Sequence, residues 1–237
     1  MPSAAELEPA YLLHRRPYRE TSLLLEALTR EQGRIGLVAR CGRGPRARQR
    51  ALLQPFQPLL LSWSGRGELG TLRTAEPAGP SFGLAGDALF AGFYANELLL
   101  RCLQRQDPSP EIFEDYPRLL AGLAEGRIEA SLRSFEKRLL EALGYGLLLT
   151  HDVSGAPLDP GRHYRYELEQ GPVAVMDHEA GGLVFPGASL LALAEGCLMD
   201  AETLADAKRL LRACLALHLG DRPMKTREVL ADMRARL

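Results

Sequence analysis

Residues 10–40 read AYLLHRRPYRETSLLLEALTREQGRIGLVAR. Short apolar blocks alternate here with turn signals, Pro17 first and then Gln32-Gly33, which is the pattern of strands joined by hairpin-length links and not of helices. The same reading carries on to Glu76. It gives strands at Ala10–Arg16, Ser22–Thr29, Arg34–Arg40, Pro58–Trp63 and Glu68–Thr74, with one short helix within Ala47–Phe56 where Ala51, Leu52, Leu53 and Phe56 share a face. Five strands with a helix between the third and fourth is the order of an OB barrel.

After the break at Pro77, Gly79 and Pro80 the apolar period lengthens. Helices are expected from Asp87 to before Pro108, from Pro110 to about Gly122, over Ser131–Leu143, Ser189–Glu195 and Ala201–Leu219, and over Thr226–Leu237. Asp200 and Gly220 are the cap and stop of the longest. Residues 150–187 are irregular, with strand-like pieces at Arg165–Leu168 and Val173–Met176. The fold class is therefore α+β: an OB-fold barrel over residues 1–79, then an α-helical bundle over 80–237 interrupted by a small irregular β insertion at 150–187.

The chain has 237 residues, 46% hydrophobic and 25% charged, so it is long enough to bury a core without disulfides or metal. The net charge of −1 hides a polarity. Residues 1–80 hold twelve arginines, no lysine and seven glutamates, a balance of +5 that leaves −6 for the rest. Arg34, Arg40, Arg43, Arg46, Arg48 and Arg50 fall within seventeen residues that contain no acid, a candidate anion-binding run. A solvated loop would read the same way. Arg15, Arg16 and Arg19 in the first hairpin add to it, and Tyr18 and Trp63 are aromatic side chains on which bases could stack, or simply strand residues half-buried in the barrel.

Chemistry is conspicuous by its missing patterns. Cys41, Cys102, Cys197 and Cys214 are too far apart for a zinc pair and read as buried thiols, and the five histidines have no ligand spacing. Gly65-Arg66-Gly67-Glu68-Leu69-Gly70 spells a dinucleotide fingerprint, yet strand residues and Pro77 follow it where a helix is required, so it reads as a hairpin turn. No P-loop, nucleophile elbow or membrane-length apolar run occurs. The expectation is a non-enzymatic protein without cofactor or metal, and the start of the chain, without a secretory signal, points to the cytoplasm.

Two other groups of cations stand out. Lys208, Arg209 and Arg212 recur at helical spacing with Lys225 and Arg227 beyond Gly220, a secondary basic zone or plain solubility chemistry. Arg133, Lys137 and Arg138 border the stripe of Leu132, Phe135 and Leu139, which suits an acidic peptide with an apolar end or a solvated helix edge.

Several strings in order along the chain resemble the recombination mediator RecO family: His14-Arg15-Arg16-Pro17-Tyr18-Arg19-Glu20-Thr21-Ser22, Leu53-Gln54-Pro55-Phe56-Gln57-Pro58-Leu59, Ser64-Gly65-Arg66-Gly67-Glu68-Leu69, Tyr94-Ala95-Asn96-Glu97-Leu98-Leu99, Leu132-Arg133-Ser134-Phe135-Glu136, Leu143-Gly144-Tyr145-Gly146 and Arg222-Pro223-Met224-Lys225-Thr226-Arg227-Glu228. The resemblance implies a DNA repair and recombination protein that binds single- and double-stranded DNA and anneals complementary strands without a nucleotide. It also implies binding to the acidic, Phe-ended tail of the single-stranded DNA-binding protein and to RecR, loading of RecA recombinase, and association with the nucleoid. Family DNA contacts map onto Arg15, Arg16, Arg19, Arg34, Arg40, Arg43, Arg46, Arg48 and Arg50, with Arg133 and Lys137 for the tail. Many members carry a four-cysteine zinc module in the region of 150–187, which here has no cysteine. A protein–protein adaptor whose barrel binds an acidic partner is the alternative that the residues alone leave open.

Overall fold

A computed structural model describes residues 7–40, 50–65, 67–175, 182–220, 223–226 and 228–229. They belong to two compact units, Met1–Gly126 with Pro223–Leu237, and Arg127–Arg222.

Alternation builds the first unit. In β2 (Ser22–Thr29) Leu23, Leu25 and Ala27 face the core, in β3 (Gly33–Arg40) Ile35, Leu37 and Ala39 do, and the residues between face outward. Burying each such leucine contributes about 1.5–3 kcal/mol. With β1 (Glu8–Tyr18), β4 (Pro58–Ser64) and β5 (Leu69–Pro77) they close a barrel in the order β1-β2-β3-β5-β4. The β3–β5 pair is parallel and the others antiparallel, which is the OB fold. Residues 50–52 are helical, inside the segment expected to form the short helix; 41–49 lie outside the described residues.

One detail differs from the sequence reading, and one agrees with it. β1 runs through Pro17 to the Tyr18–Ser22 pair, because β4 accompanies it only as far as Tyr11 and leaves an edge on which a residue without N–H is tolerated. The hairpin β4–β5, formed where the dinucleotide-like string lies, turns through Gly65 and Gly67 at φ 108° and 122°.

Helix α1 (Gly86–Cys102) follows. It approaches the barrel closely at Gly92, where a Cβ would lie 2.9 Å from the Phe56 ring. Asn96 donates to the Leu13 carbonyl (2.9 Å) and accepts from the Tyr116 hydroxyl (2.6 Å), joining α1 to β1 and to α2 (Pro110–Ala124). Tyr11 packs against both Phe113 and Tyr116. Gly33, at φ 64°, leaves room for the α1–α2 connection: a Cβ there would collide with the Asp107 carbonyl.

The second unit contains α3 (Ile128–Ala142), a sheet of β6 (His163–Glu167), β7 (Gly171–Val175) and β8 (Val184–Pro186) in the order β7-β6-β8, α4 (Gly187–Glu195) and α5 (Ala201–Leu219). The strands β6 and β7 start two residues earlier than read, and β8 is an addition. Tyr164 and Phe185 are fully buried beneath them, and Arg209 lies over the Phe185 ring. Asp200 caps α5 by accepting from the Thr203 N–H (2.8 Å), and Gly220 ends it at φ 67°. Of the final helix, residues 225–226 and 228–229 are helical and 230–237 lie outside the described residues. Among the described residues no helix is long and apolar enough to cross a membrane.

Candidate nucleic-acid interface

Strand register sorts the arginines of the first unit. On the outer surface Arg16 faces Leu24, Leu24 faces Val38 and Val38 faces Thr71; the next row places Tyr18, Ser22 and Arg40 side by side. Arg16 and Arg40 are exposed, and Leu24 and Val38 between them are half-buried. Arg19 sits at the hairpin tip with φ 53° and its guanidinium 5.2 Å from the Tyr18 ring. A left-handed non-glycine residue stacked on an aromatic is costly locally and characteristic of binding loops. Arg50 is exposed at the start of the helical turn.

One arginine outside the run joins this surface. Between Ser62–Thr74 and Trp63–Leu72 the β4–β5 register shifts, so Arg73 is the extra residue of a bulge. Bulges re-aim side chains. Arg73 is exposed, its Nε donates to Ser64 Oγ (2.7 Å), and it lies on β5 two residues beyond Thr71 just as Arg40 lies two beyond Val38. Alternation of Gly70 and Leu72 inward with Thr71 and Arg73 outward carried that signal.

Other members of the predicted set are placed elsewhere. Arg15 pairs with inward-facing Leu25 and is half-buried, and its Nη1 donates to the Leu53 carbonyl (2.9 Å). Arg34 donates to the Leu100 carbonyl and lies 3.8 Å from Glu26, which also binds Arg105; burial lowers the pKa of Arg34, and Glu26 opposes that shift. Both guanidiniums thus have partners within the protein. Arg43, Arg46 and Arg48 lie outside the described residues.

In the second unit Arg133 is only 2% exposed, bound through Nη2 to Glu136 (3.0 Å), while its Nε and Nη1 have no hydrogen-bond acceptor among the described residues. Lys137 donates to the Ala194 carbonyl at the end of α4 (2.8 Å) and is 3.6 Å from Glu141, so its ammonium helps cap that helix. Lys208 pairs with Glu129, and Arg209 with Asp206 and the Val184 carbonyl; Arg212 is exposed. Lys225 is exposed in the first unit, and Arg227 lies outside the described residues.

Residues 5–81 match the model of Recombination protein O N terminal, and residues 84–228 that of Recombination protein O C terminal. The DNA repair protein RecO of Alkalilimnicola ehrlichii is 52% identical over 93% of this chain and 89% of its own length. That of Nitrosococcus oceani is 49% identical over 96% and 94%, and that of Coxiella burnetii 46% over 97% and 100%. The chain belongs to the RecO family. Its general role is accordingly in DNA repair and recombination.

Within that family frame, two of the matching strings meet in space. Glu97 of the Tyr94–Leu99 string accepts from the backbone N–H groups of Lys225 and Thr226 in the Arg222–Glu228 string. The region of the RecO zinc module does not fit a four-sulfur site, since no cysteine lies between Cys102 and Cys197. Tyr164, Tyr166 and Phe185 are buried in that region, with the Tyr164 hydroxyl accepting from the Asp159 N–H (2.8 Å). The remaining cysteines differ among themselves: Cys214 is buried and Cys102 half-buried, both thiols pushed up to about 11 mainly by burial, while Cys197 is exposed, contrary to the reading of buried thiols.

Proposed function

We propose that this RecO-family chain binds single- and double-stranded DNA on the outer face of its barrel, anneals complementary strands, and helps load RecA recombinase onto strands coated by single-stranded DNA-binding protein. The observation that carries the reading is the open patch where Arg16, Arg19, Arg40 and Arg73 surround Tyr18, Leu24 and Val38. Guanidinium groups fork onto phosphates while apolar and aromatic surface between them accommodates sugars and bases. Glu26, the acid one row away, is neutralised by Arg34 and Arg105, so it does not repel a backbone.

Such a surface screens the charge of two strands at once and leaves base edges free, so pairing itself reads sequence. The process needs no catalytic step and no nucleotide, and it takes place in the cytoplasm at the nucleoid. The chain works with RecR and is recruited through the acidic tail of the single-stranded DNA-binding protein. Arg133 is the residue for the tail's terminal carboxylate, because its Nε and Nη1 have no acceptor among the described residues.

The test is strand annealing followed by a fluorescent pair on complementary oligonucleotides, without nucleotide. Acceleration that falls steeply with salt is expected. Absence of DNA binding at low salt, with capture of an acidic protein by the barrel instead, would replace this reading by the adaptor one.

A further inference from the structure

Below the arginine patch the barrel has a cleft of about 230 Å³. It opens where β3 and the β4–β5 hairpin part, with Trp63, Gly36, Gly67 and Gly70 around it and the amides of Gln32 and Gln106 at its mouth. That is smaller than the ~300–1,000 Å³ of sites for drug-sized ligands, and it suits one planar ring system.

Its chemistry is selective. None of its eight described lining residues carries a charge. Trp63 packs against the barrel core, is half-buried and lines the cleft. At Gly67 nothing lies within 4 Å of where a Cβ would stand, so backbone is open there, and the amides offer both donors and acceptors. Gln106 is held with unusual care: its backbone is left-handed (φ 59°), its N–H donates to the Arg34 carbonyl (2.9 Å) and its Nε2 to the Gly67 carbonyl (2.6 Å). This residue therefore bridges the two walls at the cost of local strain, as ligand clamps do.

We propose that this cleft receives one unpaired nucleobase of a single strand whose phosphates cross the arginine patch. The inference rests on the DNA-binding reading above. Continuity supports it: Trp63 precedes Ser64, the partner of Arg73, and Gly36 lies two residues before Val38 on the same outward face of β3. A stacking surface together with amide hydrogen bonding recognises bases, and only an unstacked base can enter, so duplex is excluded from the cleft. A strand held this way leaves the slot as its bases pair.

Trp63 is the chain's one tryptophan, so its fluorescence reports the cleft directly. The experiment compares an oligothymidylate, an abasic oligomer of equal length and free thymidine, using tryptophan quenching for the cleft and anisotropy for strand binding. Expected is quenching by the base-bearing strand and, at higher concentration, by thymidine, but not by the abasic oligomer, which binds with affinity about tenfold lower than the oligothymidylate. In Gln32→Ala and Gln106→Ala that preference shrinks at least threefold while abasic binding stays unchanged; Gln32 is exposed in a turn, so the first of these keeps the fold. If both oligomers bind equally and neither quenches, the nucleobase site is refuted and the arginine patch stands. If neither oligomer binds, the DNA-binding reading fails, and quenching by thymidine alone then decides the cleft: silence overturns it.

Discussion

The side chain of Glu97, in the middle of α1, caps the chain 129 residues later: it accepts from the N–H of Thr226 (2.9 Å) and from its Oγ1 (2.8 Å), as well as from the N–H of Lys225 (2.9 Å). Helix starts leave N–H groups without intrahelical acceptors, and here a carboxylate from another helix supplies them. Arg101 completes the junction by binding both Glu97 and the Pro223 carbonyl. Burial alone would raise the pKa of Glu97, but the hydrogen bonds from Thr226 and Lys225, with Arg101 nearby, outweigh it and hold the carboxyl below its ordinary value.

Glu97→Gln is expected to lower stability by about 1–3 kcal/mol, since charge-assisted bonds are lost and an NH₂ faces N–H donors. The sign of the pH dependence follows from the depressed pKa. Stability from Glu97 is fully present above the unfolded value near ~4.3 and is lost as pH falls through the lower folded value. Denaturant midpoints of the two proteins should therefore converge in acid, and equal midpoints at neutral pH would show that the cap contributes nothing.

Asn96 gives a second test of the same unit. Replacing it with Leu removes the acceptor of the buried Tyr116 hydroxyl and the donor to the Leu13 carbonyl, at about 2–4 kcal/mol for two groups left unsatisfied. Tyr116→Phe should cost less, about 1 kcal/mol, and also relieve part of the Asn96→Leu defect in the double variant. Additive losses measured by urea unfolding would disprove the coupling.

The barrel was legible because its core residues alternate: Leu23, Leu25 and Ala27 against Leu37 and Ala39 state both period and face. β8 was not, since three residues with a proline carry no period. The arginine surface was half legible. Arg34 and Arg40 belong to the same run, but Arg34 finds Glu26 and the Leu100 carbonyl, the latter 66 residues away, and no local pattern announces a partner at that distance. Arg73 escaped for the opposite reason, standing alone in sequence and joining the patch only through β3–β5 pairing and a bulge.

For the second unit, the Nε and Nη1 groups of Arg133, without an acceptor among the described residues, predict selectivity for a free chain terminus. An acidic, Phe-ended peptide with a free carboxylate should bind at least tenfold more tightly than its C-terminal amide by calorimetry. Arg133→Ala is the less informative variant, because stripping one partner from the buried pair with Glu136 is expected to cost about 3–5 kcal/mol of stability. Equal affinity of acid and amide would remove Arg133 from that role.

The most direct test is the salt dependence of single-stranded DNA binding by Arg16→Ala/Arg40→Ala/Arg73→Ala, measured by anisotropy beside the parent protein. Each phosphate contact on a single strand contributes about 0.7 to the slope of log affinity against log salt. Loss of three should reduce the slope magnitude by about 2 while the unfolding midpoint stays within error. An unchanged slope would contradict the account.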